Sequence, residues 1–151
     1  MRRAEKEITD QAEIHEILRQ ARVVRLAMID GVRPYMIPML YGFDGDHLYV
    51  HSARDGRKLA VMRKKHEVCF ECEVDVGLRP TENICSWSVD YRSVIGYGRA
   101  VFLEDEVEKQ KAMEILLEHY ADPPFEIPAP ALASTCMIRV EIQSMTGKRS
   151  G

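Results

Sequence analysis

Between Leu48 and Met62 the chain reads LYVHSARDGRKLAVM, its densest set of residues able to do chemistry. His51 and Ser52 close a strand-like run, and Arg54, Arg57 and Lys58 gather where a helical pattern begins. A helix N-terminus presents backbone N–H groups without intrahelical acceptors and carries partial positive charge, so an anion is favoured there. Ser52 adds a hydroxyl donor, the cations add charge-assisted hydrogen bonds, and Gly56 lets the backbone come close. Together they compose a phosphate cradle. A plainer reading also fits: Arg54 to Lys65 holds six cations and one acid, the composition of a solvated helix face. Arg63, Lys64 and Lys65 suit that reading best. His51 alternates with Tyr49 and His47 on one strand face. It reads equally as a surface residue or as a cleft residue able to hand over a proton.

Other candidates carry less. Cysteines stand at positions 69, 72, 85 and 136. Cys69 and Cys72 form a C-x-x-C inside EVCFECEV, but residues three apart on a strand face opposite ways. No second C-x-x-C or histidine pair follows at ligand spacing, so reduced thiols and no metal site are expected. No G-x-S-x-G, H-E-x-x-H, P-loop or dinucleotide fingerprint occurs. The G-x-G of GYGRA, 96–100, falls within a strand pattern. Trp87, Tyr91 and Tyr97 suit stacking or packing, with packing the better reading for Tyr97, and Met28, Met36, Met39 and Met137 read as core filler.

The elements that must position these residues fit one domain spanning 1–151, with 46% hydrophobic and 30% charged residues. A net charge of −3 counts against wholesale nucleic-acid binding. RKLAVMRKK keeps such binding only as a minor alternative, one that salt-sensitive DNA retention would revive. Met1-Arg2-Arg3 leads into polar residues and no apolar run spans a bilayer, so neither a leader nor membrane insertion is expected and the location reads as cytoplasmic.

ITDQAEIHEILRQA reads as a helix capped by Asp10 with Glu13 in support, burying Ile14, Ile17, Leu18 and Ala21. VVRLAMI and RPYMIPMLYGF form strands joined at Asp30-Gly31. Pro38 demands an edge, a bulge or a ligand covering the backbone. HLYVHS is a third strand, GRKLAVMRKK a short helix and EVCFECEV a fourth strand. Residues 75–90 read as an irregular loop, and YRSVIGYGRAVFLE as a fifth strand. EDEVEKQKAMEILLEHY is a helix with Val107, Met113, Leu116 and Leu117 among its apolar positions. After a proline-rich connection the sixth strand alternates Cys136, Ile138, Val140 and Ile142 against Met137, Arg139, Glu141 and Gln143. The expected fold is mainly β: a six-stranded antiparallel barrel with flanking helices.

The stretches YMIPMLYGF, DHLYVHSARDGRKLAVM, VCFE and YRSVIGYGRAVFLEDEVEKQKAM resemble the FMN-binding split-barrel superfamily related to pyridoxamine 5′-phosphate oxidase. Within it the chain resembles the nitroimidazole-resistance, or nitroimidazole reductase, proteins. The resemblance implies a homodimer with FMN in clefts at the interface. Ile37, Pro38, Met39 and Leu40 would run along the isoalloxazine edge. His51, Ser52 and Ala53 would lie by the ribityl and phosphate groups, and Lys58 would pair with the phosphate. From the partner chain, Trp87 and the segment Tyr91, Arg92, Ser93 and Val94 would close the cleft, with Lys148 near the ring. The chain departs from the vitamin B6 oxidases in lacking their arginine- and tryptophan-rich C-terminal segment, since it ends SMTGKRSG with Trp87 its only tryptophan.

Two functions follow from the resemblance. One is an FMN-dependent oxidoreductase that reduces small nitroaromatic compounds with electrons from a transiently bound reduced nicotinamide. His51 would then be the catalytic proton donor. The other is a non-enzymatic flavin- or haem-binding protein on the same scaffold.

Overall fold

The alternating apolar runs and the turns at Asp30-Gly31 and Asp44-Gly45 fold the chain into consecutive hairpins. A computed structural model describes residues 3–151; Met1 and Arg2, part of the leader reading, lie outside them. The order is β1 (Glu7–Ile8), α1 (Gln11–Gln20), β2 (Val24–Asp30), β3 (Arg33–Met39), β4 (Gly42–Phe43), β5 (His47–Ala53) and α2 (Arg57–Lys64). Then come β6 (Glu67–Arg79), β7 (Ser88–Leu103), α3 (Glu106–Glu118), α4 (Ala129–Ser134) and β8 (Thr135–Ser150). All six expected strands are present. β1 and β4, two residues each, are too short to show a period.

The sheet is antiparallel, ordered β3-β2-β6-β7-β8-β5-β4, with β1 added to β8. Leu26 of β2 and Leu48 and Val50 of β5, near opposite ends of that order, share one buried cluster. The sheet therefore curls round a single core, into which α1 sends Ile14, Ile17 and Leu18 and α2 sends Leu59 and Met62. Asp10 caps α1 by accepting from the Ala12 N–H at 3.0 Å. Glu13 does not complete the cap; it pairs with Arg149 and Arg92.

In the β2–β3 hairpin Asp30 stays in the ladder opposite Arg33, and Gly31 takes φ 63°, the conformation that favours glycine. β3 has a neighbour on one side only, which accommodates the missing N–H of Pro34 and Pro38. Gly96 serves contact: a Cβ there would run into the Phe70 ring.

Three expectations need correction. Residues 75–90 are not an irregular loop: β6 and β7 pair through Arg79 and Ser88 across a bulge between Val74 and Gly77. The bulge inverts the alternation, so the period breaks while the ladder continues. Val107 is 77% exposed, because the buried side of α3 is set by Ala112 and Leu116. Met137 is fully buried although it shares a face with charged residues. α3 covers that end of the outer face, joining Met137 to Tyr49, Leu103 and Ala112.

Candidate functional site

β5 delivers His51 and Ser52 to the start of α2 through a turn that needs Gly56 at φ 139°. No side chain caps α2 and no acid occupies its first turn. The first helical bond runs from Ala60 N–H to the Gly56 carbonyl, so the N–H groups of Arg57, Lys58 and Leu59 have no helical acceptor. Ser52 is 5% exposed, and among the described residues its hydroxyl has no hydrogen-bond partner; neither has Nδ1 of His51. A buried polar atom left unpaired costs about 1–3 kcal/mol, so two at one joint call for an explanation.

His51 also stands apart among the histidines. His47 meets Asp44, His66 meets the Ala100 carbonyl, His119 meets the Ala21 carbonyl at 2.7 Å, and His15 lies edge-on to Phe43. Burial first, and then the charge of Lys58, holds His51 below the ordinary imidazole pKa. Lys58 itself is half-buried and makes no ion pair among the described residues.

The expected cradle is corrected at Arg57. Its guanidinium bonds Asp30 at 2.9 and 3.0 Å and lies 4.4 Å above the centre of the Tyr35 ring, so it clamps α2 to the β2–β3 hairpin. Arg54 borders a separate cavity beside Glu104 and Glu106. The cation left facing the joint is Lys58. Along the β3 edge and just beyond it, Ile37 packs on the core and Met39 is buried, whereas Pro38 and Leu40 are exposed. Ala53 is exposed at the mouth of the turn.

The residues expected from a partner chain sit elsewhere. Ser52 pairs with Cys136 at the start of β8, and Ser93 with Lys148 near its end. Twelve residues of strand separate those positions, roughly 40 Å of contour. Tyr91 and Ser93 line the outer sheet face, and the Lys148 ammonium is 5.9 Å from the Tyr91 ring centre. Trp87 donates from Nε1 to the Thr81 carbonyl at 2.9 Å and leaves its ring exposed. Arg92 faces the other way, bonded to Asp75 at 2.7 Å and close to Glu13 and Glu16.

Sequence reasoning missed the charged residues around Tyr91. A cavity of 330 Å³ beside Tyr91 and Ser93 is lined by Glu71 and Glu73, whose carboxylates share Arg25 at 3.2 and 2.5 Å. Burial, then the neighbouring Glu73, pushes the Glu71 carboxyl up to about 7. Their i, i+2 spacing in EVCFECEV was the available signal, since it puts both on one face. Cys69 and Cys72 lie on opposite faces, Cys72 fully buried within and Cys69 beside Tyr97 outside.

The sequence pattern of the pyridoxamine 5′-phosphate oxidase family matches residues 10–149. Among curated proteins, none matches at a significant level. Among solved structures, one from Bacteroides thetaiotaomicron, described provisionally as a 5-nitroimidazole antibiotic resistance protein, is 30% identical. The likeness covers 95% of this chain and 86% of that one, with a TM-score of 0.85. The flavocytochrome Anf3 of Azotobacter vinelandii is 19% identical over 100% of this chain and 72% of its own, with a TM-score of 0.87. An FAD and heme binding protein of Mycobacterium smegmatis is 17% identical over 96% and 73%, with a TM-score of 0.86. At these last two identities the likeness is one of fold.

Proposed function

The chain belongs to the pyridoxamine 5′-phosphate oxidase family, and on that premise we propose that it is an FMN-dependent oxidoreductase. Its substrates are small nitroaromatic compounds, nitroimidazoles among them, and its electrons come from a reduced nicotinamide. The observation that carries the reading is the α2 joint: an uncapped helix N-terminus, a buried hydroxyl and a buried imidazole nitrogen without partners, and an unpaired Lys58. A mononucleotide phosphate fits that donor set, taking the free N–H groups, the Ser52 hydroxyl and the Lys58 ammonium. The description of the Bacteroides protein supports the nitro substrate.

Bound FMN supplies the electron-transfer chemistry. The chain's own residues bind, orient and manage protons. Lys58 and Ser52 hold the phosphate end. His51, with Nδ1 unpartnered among the described residues and its pKa lowered by burial and Lys58, passes a proton to the substrate. The lone pairing edge of β3 offers Pro38 and Leu40 to a ligand instead of a neighbouring strand. The separation of the joint from Tyr91 and Lys148 supports a homodimer with the cofactor between copies, as do the exposed Ile29, Met36, Ile95 and Tyr97. No helix among the described residues is long and apolar enough to cross a membrane; we place the protein in the cytoplasm.

The test is direct. Purified protein is expected to bind FMN, to lose that absorbance on adding reduced nicotinamide, and to recover it on adding a nitroimidazole. Lys58→Ala should weaken FMN more than tenfold while barely changing riboflavin, which lacks the phosphate. The dimer is read by sedimentation. A colourless protein indifferent to FMN overturns the reading. The second reading, a non-enzymatic flavin or haem binder, draws on the heme named for the Mycobacterium protein, on the flavocytochrome description of the Azotobacter one, and on the unpartnered Nδ1 of His51. A Soret band that His51→Ala abolishes would select it.

A further inference from the structure

The carboxylates of the outer sheet face take no part in holding a phosphate or in the proton role given to His51. Glu71 and Glu73 of β6 line the 330 Å³ cavity that Val76, Val89, Tyr91 and Ser93 complete. Both reach the same guanidinium, Arg25 of β2, at 3.2 and 2.5 Å. Two ionised carboxylates on one guanidinium leave one negative charge uncompensated. No lysine, arginine or histidine among the described residues lines the cavity. The cations of the adjoining strands are engaged elsewhere. Arg92 of β7 bonds Asp75, and Lys148 of β8 sits over the Tyr91 ring and borders a neighbouring cavity.

A second feature points to a ligand. Ser93 is only 9% exposed and borders the cavity, yet its hydroxyl makes no hydrogen bond among the described residues. Tyr91 gives the cavity an aromatic wall, and Val76 and Val89 give it an apolar one. Folding alone gains nothing from the acidic pair. Burial, then Glu73, pushes the Glu71 carboxyl up to about 7, so keeping it ionised at neutral pH costs the native state stability. A cation in the cavity would neutralise the surplus charge and give the Ser93 oxygen a donor.

We propose that this cavity is a substrate subsite for the protonated nitrogen of a flat aromatic compound, with the cation paired to Glu71 and Glu73 and the ring against Tyr91 and Val89. The proposal rests on the flavin reading, in which Tyr91 and Ser93 of one copy border the flavin of the other. It narrows the substrates to aromatic compounds that carry a basic nitrogen. The cofactor phosphate belongs with the cations and free N–H groups of the α2 joint; this cavity has the opposite sign and repels it.

The test measures binding without turnover. FMN-loaded protein is titrated calorimetrically with benzamidine, a planar cation at every pH used, and with its neutral counterpart benzamide, at pH 5.5 and 7.5 and at 20 and 300 mM salt. At pH 7.5 benzamidine is expected to bind at least tenfold more tightly than benzamide, and less so at high salt. The preference should shrink at pH 5.5, where Glu71 holds its proton and Glu73 alone balances Arg25. Glu71→Gln should remove at least tenfold of the preference, and Glu73→Gln repeats the test should that variant not fold. Equal affinity for the two compounds, a preference that does not grow with pH, or one that survives both substitutions overturns the proposal. FMN uptake, measured on the same samples before loading, separates the two readings. Protein that takes up FMN but shows no cation preference sinks the subsite alone. Protein that prefers the cation but takes up no FMN sinks the flavin reading, and the substrate role with it.

Discussion

Glu71 offers the most quantitative handle on the outer face. Its carboxyl rises from an ordinary 4.5 to about 7 through burial and Glu73, against the pull of Arg25 at 3.2 Å. At about 1.36 kcal/mol per pH unit, holding it ionised in the native state costs roughly 3 kcal/mol. The side chain is 30% exposed, and Glu73 keeps part of the shared charge, so roughly half is expected on removal, about 1–2 kcal/mol. Because the folded value lies above the unfolded one, the native state holds the extra proton between them. Stability from this group is full below pH 4.5 and lost as pH rises through 7. Glu71→Gln carries no such dependence and keeps a polar contact for Arg25. At pH 4.5 the variant should match the parent; at pH 8 it should be about 1–2 kcal/mol more stable, raising Tm by roughly 3–6 °C. Urea unfolding across that range reads the difference. A stability difference that stays flat with pH, or shrinks as pH rises, would refute the assignment of a costly ionised carboxylate here.

Three further outcomes follow from named contacts. Ser52→Ala removes a buried hydroxyl that has no partner, so unfolding free energy should hold or rise by up to about 1 kcal/mol while FMN affinity falls about tenfold; fluorescence titration and urea melts separate the two. His51→Ala should retain FMN and slow nitro reduction about a hundredfold. Since burial and Lys58 lower the His51 pKa and a proton donor must be protonated, the parent's turnover should fall as pH rises through a value below the ordinary imidazole range, a limb the variant lacks, and a variant with unchanged rate would end the catalytic role. Gly96→Ala forces a methyl into the Phe70 ring and should cost about 2–3 kcal/mol by urea unfolding.

Much of this architecture is local and therefore legible in one dimension. Asp10 before an apolar face at Ile14, Ile17 and Leu18 specifies α1, because capping and helical period act within a dozen residues. Pro34 and Pro38 limit β3 to an edge, a bulge or a ligand-covered strand, since a missing N–H is the same fact in any tertiary setting, and the sheet order selects the edge. The α2 joint is visible as well, for its strand, glycine and cations are contiguous. Pairing between distant segments is not encoded by any period. Only the assembled sheet sends Arg57 to Asp30 and Tyr35, closes α3 over Met137, and leaves His51 and Ser52 without partners. It also joins Glu71 and Glu73 to Arg25, Lys6 to Ser150, and sets Tyr91 and Lys148 a whole strand's length from the joint. Residue types and spacing alone determined which groups are able to hold an anion. Which of them remain free to do so was decided by the tertiary structure, because a side chain's freedom depends on what folds against it.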